Sequence, residues 1–196
     1  MSFVPDGSTL LAYSLACFVL FATPGPDMSL FLARTISGGR SAGIAAMLGA
    51  NLGIVVHSLL AAFGISALIA ASPSAFMALK VVGAGYLLWL AIDAIRNGSA
   101  LNVRASGETK VAFVRTLATG MMVNLANPKV ILFFVTFLPQ FVSAADPGAR
   151  SKLLFLGIYF VVFNIPLAVA MILAAERVVA ALKAEPRLLR AIDYLF

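Results

Sequence analysis

Thr23-Pro24-Gly25-Pro26-Asp27 interrupts one apolar run of this chain, and Asn124-Leu125-Ala126-Asn127-Pro128-Lys129 interrupts another. Each motif sets helix-breaking residues and one ionisable group inside a hydrophobic segment. Both are costly there, so their recurrence at corresponding places in two halves of the chain points to a site built from interrupted transmembrane helices. Pro24 and Pro26 lack an N–H and bias their predecessors away from helical angles, so a helix should end before Thr23. Pro26 suits the first position of a new helix, and Asp27 is then a first-turn acid near the positive helix end. Asn127-Pro128-Lys129 repeats the design, with Asn127 as cap, Pro128 at the first helical position and a half-helix over Val130 to Val142. Lys129 opposes the dipole of that half-helix and calls for an acidic partner, a water-filled cavity or a bound anion. Two readings stay open for the charges themselves: Asp27 and Lys129 pair with each other, or they serve a zwitterion. The plainer alternatives are a simple proline kink at Asp27 and a Lys129 that snorkels to an interface.

The surrounding chain is 62% hydrophobic with mean hydropathy +1.02, and 11% of it is charged, against roughly 25% in soluble domains. This composition is that of an integral membrane protein. Residues 41–79 form a stretch of 39 without Asp, Glu, Lys or Arg, nearly 60 Å as one helix and about twice the hydrocarbon core. It should therefore hold two spans, with Ser72-Pro73-Ser74 as the turn. Six segments follow: Thr9 to Ala33, Ser41 to Ala71, Ser74 to Ile95, Val111 to Val142, Lys152 to Ala175, and one beginning near Leu188. The broken motifs start at residues 23 and 124, and each opens a group of three segments. An odd number of spans per group inverts the second relative to the first. The expected fold is an all-α integral membrane protein, a single transmembrane domain over 1–196. It comprises about six transmembrane segments as two inverted three-helix repeats, about 1–97 and 110–196, with helices 1 and 4 interrupted. The symmetry leaves the last segment truncated, since only six residues follow Arg190.

A net charge of +6 is compatible with nucleic-acid binding, but the basic residues sit in short connectors between apolar segments. Arg34 and Arg40, then Arg96, Arg104, Lys110 and Arg115, then Arg177, Lys183, Arg187 and Arg190 make ten of the fourteen Lys and Arg residues. The positive-inside rule places those connectors in the cytoplasm and the amino terminus outside. Lys80, Arg150 and Lys152 run against this pattern. Asp6 precedes the first apolar run without any Lys or Arg, which argues against a cleavable signal. Cys17 is the only cysteine, so no intrachain disulfide or cysteine-based metal cluster is expected.

His57 lies on a stripe with Ala46, Ala50, Gly53 and Gly64, and Gly49 to Gly53 is a GxxxG match. Such a face suits close helix packing, and a buried histidine there either packs or relays protons. Asn51 and Asn164 are expected to hydrogen-bond between helices. Helix N-termini bind anions, and interrupted transporter helices aim them at substrate carboxylates. The candidate substrate-binding or coupling residues are thus Thr23, Pro24, Gly25, Pro26, Asp27, Asn124, Asn127, Pro128, Lys129 and His57. In this reading Asp27 attracts an ammonium group, and Lys129 supports a carboxylate or a coupling proton.

Several motifs carry a family resemblance over essentially the whole chain: ATPGPDM at Ala22 to Met28, Gly38-Gly39-Arg40, Val56-His57, LKVVGAGYL at Leu79 to Leu87, NLANPK at Asn124 to Lys129, Phe133-Phe134, and FLPQFV at Phe137 to Val142. In their order and spacing the chain resembles the LysE/RhtB family of bacterial amino-acid exporters. The resemblance implies multi-pass insertion in the bacterial cytoplasmic membrane and export of an amino acid or derivative. It also implies drive by the proton motive force, no cofactor, and contacts with membrane lipids but not nucleic acid; assembly into a homo-oligomer stays open. Two other classes fit the residues less well. A membrane scaffold or lipid-handling protein on the same plan would use Asp27 and Lys129 as structural partners that tolerate exchange. An intramembrane enzyme is disfavoured by one histidine and few membrane-level carboxylates.

Overall fold

The computed structural model describes residues 4–65, 112–143 and 146–184, with side chains to residue 177, and the single positions 72, 74, 77, 78, 81 and 85. All regular structure among them is helical. Helix α1 is Gly7–Ala22 and α2 is Pro26–Leu60, prolonged by a π turn at Ala61–Ile65. Helix α3 is Phe113–Leu125. Helix α4, Pro128–Leu132, runs on through a π turn at Phe133–Phe137 and a 3-10 turn at Leu138–Phe141. Helix α5 is Ala149–Ala184. Most of the expected third segment, with Lys80, Tyr86, Trp89 and Asp93, lies outside the described residues, as do Pro73 of the expected turn and the segment from Leu188.

The local signals around the breaks act as capping chemistry dictates. Helix α2 starts at Pro26 behind Gly25, and α4 starts at Pro128 behind Asn127, whose side chain accepts from Lys129 N at 3.1 Å. At the other end of α1, Asp6 caps Thr9 N at 2.9 Å. Hydrogen bonds from Ser8 and then Thr9 hold its carboxyl well below the usual carboxylate range. The face of α1 that bears Tyr13 and Cys17 is buried, while Leu11, Leu15, Phe18 and Val19 are exposed. Large apolar side chains outward and a hydroxyl and thiol inward is the pattern of a helix facing lipid on one side.

The connector expected at Arg34 to Arg40 is helical. Helix α2 passes through it and changes direction at Gly39 alone, where φ is 75° and ψ −177°. One residue in the left-handed region suffices to redirect a helix, and glycine enters it without a Cβ clash. Pro26–Ile65 contains 40 residues, roughly 60 Å if straight, so the kink divides a run about twice as long as a hydrocarbon core is thick. Among the described residues, Pro26–Ile65 and Ala149–Arg177 are long and apolar enough to cross a membrane. Phe113–Leu125 with Pro128–Phe141, bent by 53°, makes a third candidate span.

Small residues set the packing. A Cβ on Gly49 would strike the Leu117 carbonyl, one on Gly120 the Ala46 carbonyl, and one on Gly53 the Asn124 side chain. The register rises together from Ala46 beside Gly120 to Gly53 beside Asn124, so α3 runs in the same direction as the second half of α2. Helix α5 runs the opposite way, with Gly157 against Ser58 and Ile172 against Gly43. It meets α1 through Tyr13 Oη, which donates to Leu156 O at 3.0 Å, and through Ser14 and Tyr159 at 2.7 Å.

Two apolar clusters result. One gathers Tyr13, Ile54, Phe133, Phe134, Leu156 and Phe160; the other gathers Phe31, Ala46, Met47, Ala50, Ala168 and Ile172. At the end beyond the second, Arg40 lies 4.0 Å from Glu176. At the end beyond the first, Lys152 pairs with Asp146 and the Arg150 guanidinium sits 5.2 Å from the centre of the Phe63 ring. Two of the basic residues that ran against the orientation pattern are thus matched locally. The hydrogen bond from Lys152, followed by that from Gly148 N, holds the Asp146 carboxyl below the usual carboxylate range.

Candidate functional site

The two breaks meet, and each supplies what the other lacks. Asp27, in the first turn of α2, accepts through Oδ2 from Asn124 Nδ2 at 2.8 Å and from Asn127 Nδ2 at 3.0 Å. Asn124 is in the last turn of α3 and Asn127 caps α4, and both are buried. From the second break, Lys129 Nζ donates to Leu20 O at 3.0 Å and Thr23 O at 2.7 Å. A helix leaves its last four carbonyls without intrahelical donors, and none can be left bare in lipid. Val19 O receives Thr23 N and Thr23 Oγ1, and Leu20 O receives Lys129. Lys129 therefore caps the C-terminus of α1, the negative end of a dipole, which offsets its unfavourable place in the first turn of α4. Asp27 and Lys129 take separate partners rather than each other, so the direct pairing left open by the sequence is not the arrangement found.

Gly25 is placed for this cap. A Cβ there would lie 3.1 Å from Lys129 Nζ and 3.3 Å from Lys129 Cε. Gly53 plays the matching part across α2, where its bare Cα makes room for Asn124. The GxxxG face is thus a packing face, as its small residues suggested, and it seats one of the site asparagines.

His57 is buried one contact further out. Its Nε2 is 3.4 Å from Asn124 O and its ring stacks on Phe134 with centroids 5.8 Å apart. Thr23, Pro24, Gly25 and Pro26 form the short non-helical link and restart around this centre. All ten candidate residues therefore lie in or beside one cluster, with Pro24, Pro26 and Pro128 acting through the backbone.

Asp27 and Lys129 line a cavity whose other walls are mainly apolar and include Phe31, Met47, Ile54, Phe160 and Ala168. Its free volume is about 60 Å³, room for roughly four to six water-sized groups. Asn51 and Asn164 also line it. Neither makes the interhelical bond expected of it: Asn51 Nδ2 donates to Met47 O at 3.0 Å and Asn164 Nδ2 to Phe160 O at 2.8 Å. The carbonyl four residues back on the same helix is always within reach, and it wins over a partner that packing must deliver. The signal passed over was Asn164-Ile165-Pro166, a polar residue and a proline in the middle of an apolar run, and Pro166 indeed lies inside α5.

A family model described as LysE type translocator matches residues 18–196. The chain is 29% identical over 185 residues to the homoserine/homoserine lactone efflux protein of Salmonella typhimurium, covering 94% of this chain and 88% of that one. It is 30% identical over 135 residues to the leucine efflux protein of Salmonella typhi, 69% of this chain and 64% of that one. An uncharacterized membrane protein of Vibrio cholerae is 33% identical over 132 residues, 67% and 64% of the two chains. No solved structure matches. With its interrupted apolar helices and a family match across most of its length, the chain belongs to the LysE type translocator family.

Proposed function

We propose that this protein is a secondary transporter that exports an amino acid or close derivative across the bacterial cytoplasmic membrane, coupled to the proton motive force. The observation that carries the reading is the charged centre itself. An acid and a base, each seated on a broken helix, border a small cavity in an otherwise apolar interior. The efflux activities named for the relatives from Salmonella support the substrate class. In this proposal the chain forms six spans in two inverted three-helix repeats, one of about 1–97 and one of about 110–196. Asp27 receives the substrate ammonium, and the N-terminus of α2 with the remaining proton of Lys129 receives its carboxylate. The two apolar clusters on either side open in turn, and His57, beside Asn124, passes the coupling proton.

The test loads cells that produce the protein with dipeptides and follows release of a panel of amino acids, with and without a protonophore. Release of at least one amino acid, slowed by the protonophore and abolished by Asp27→Asn, is expected. A panel in which nothing leaves faster than from control cells would overturn the export reading. Release that ignores the protonophore would overturn the coupling alone.

A further inference from the structure

Two residues that line the cavity carry acceptors that no described group satisfies. Asp27 Oδ1 is buried without a donor, and so is Asn164 Oδ1, on a residue only 7% exposed. Both residues line the same cavity, although they come from different helices. The orientation of the Asn164 amide is fixed by its bond to Phe160 O at 2.8 Å, because turning the amide over would set oxygen against oxygen. A buried acceptor without a donor is costly, and one on a residue that lines a cavity invites a ligand that donates. Lys129 in the same cavity spends two of its three protons on Leu20 O and Thr23 O, leaving one for an anionic group. Among the described residues, Asp27 and Lys129 are the only charged ones that line the cavity.

We infer that Asn164 is the second acceptor of an ammonium subsite, bridged to Asp27 by the substrate's primary amine, and that the substrate is an amino acid with an uncharged side chain. A primary ammonium has three donors, enough to serve both oxygens at once. The described lining holds no further carboxylate for a second positive charge, so a basic side chain set against its apolar wall of Phe31, Met47 and Phe160 would be unpaired there. This rests on the proposed export of amino acids and adds to it a positioning residue and a side-chain class.

The experiment uses the reconstituted chain in vesicles loaded with leucine or homoserine, with lysine and 4-methylpentanoate, leucine without its amino group, as competitors. The parent protein should export a neutral amino acid and ignore both competitors. Asn164→Leu should raise the half-saturating concentration about tenfold or more at an unchanged maximal rate, the effect expected for losing a hydrogen bond to a charged group. Asn164→Ser should do the same, since the hydroxyl still donates to the carbonyl four residues back but is too short to leave an acceptor in the cavity. A purely structural residue would instead lower yield and maximal rate in both variants and leave the half-saturating concentration alone. That result overturns the inference, as does export of lysine on a par with leucine. If Asn164→Leu does not reach the membrane, Asn164→Ser decides: a raised half-saturating concentration at an unchanged maximal rate upholds the subsite, and the parental value overturns it. Should the parent protein move no amino acid, the export reading falls before any variant is compared, so the two failures are distinct.

Discussion

Lys129 illustrates how a residue that violates a local rule can satisfy a distant one. At the start of α4 it faces the wrong end of its own dipole, and at the end of α1 it faces the right one. Lys129→Met keeps the length and removes the donors, leaving Leu20 O and Thr23 O bare at about 1–3 kcal/mol each. A clearly lower midpoint in thermal unfolding of the detergent-solubilised protein is expected, together with loss of export; a midpoint equal to the parent's would remove the capping role. Exchanging the two charges no longer separates a strut from a substrate site. Lysine at position 27 would face the amide donors of Asn124 and Asn127, and aspartate at position 129 would face carbonyl oxygens, so the exchange fails under either reading. The caps were legible in the sequence because proline, glycine and asparagine act on their immediate neighbours. The partners were not, since contact between residues 20 and 129 depends on how whole helices meet.

Among the elements, the α2–α3 contact rests on glycines, and their positions separate packing from mere smallness. Gly49 sits against the Leu117 carbonyl, while Gly64 on the same stripe has no described atom within 4 Å of where its Cβ would stand. Gly49→Val should therefore lower stability by about 1–3 kcal/mol through overpacking against an immovable backbone, whereas Gly64→Ala should leave the unfolding midpoint unchanged. Equal effects would mean that the register of α2 on α3 differs from the one described. The stripe itself was legible from helical spacing, but which of its members touch a neighbour was not. The connector at Arg34 to Arg40 is shorter than a reading that equates charge with a loop expects, because the non-helical Gly39 alone redirects the chain between two helical stretches. The π turns at Ala61–Ile65 and Phe133–Phe137 have no signature in apolar periodicity, although Pro139, just past the second, cannot continue the helical bonding.

For the molecule as a whole, polar residues form a layer between two apolar clusters. Along α2, Asn51 falls between Ala50 of one cluster and Ile54 of the other; along α5, Asn164 falls between Phe160 and Ala168. Alternating access at a central site requires each cluster to part while the other stays closed. Arg40 and Glu176 mark one end at 4.0 Å. The double variant Arg40→Cys with Glu176→Cys, bridged by a short thiol-reactive cross-linker, should stop export and recover it on reduction, with the buried Cys17 left untouched. Undiminished export by the bridged protein would place the moving parts elsewhere. Composition and charge placement made a membrane-embedded bundle legible, whereas the two-cluster arrangement arises only once α2 and α5 run against each other.

The cap on α1 also sets an order of events during synthesis. The carbonyl of Leu20 receives its donor from a residue 109 positions later. At about 5–20 residues per second, the first helix waits several seconds in the bilayer with its open end unsatisfied, until the second break has been made and has reached it. A helix from the first half of the chain is thus completed by a residue from its second half, and a nascent chain that stalls before Lys129 leaves Leu20 O without that donor.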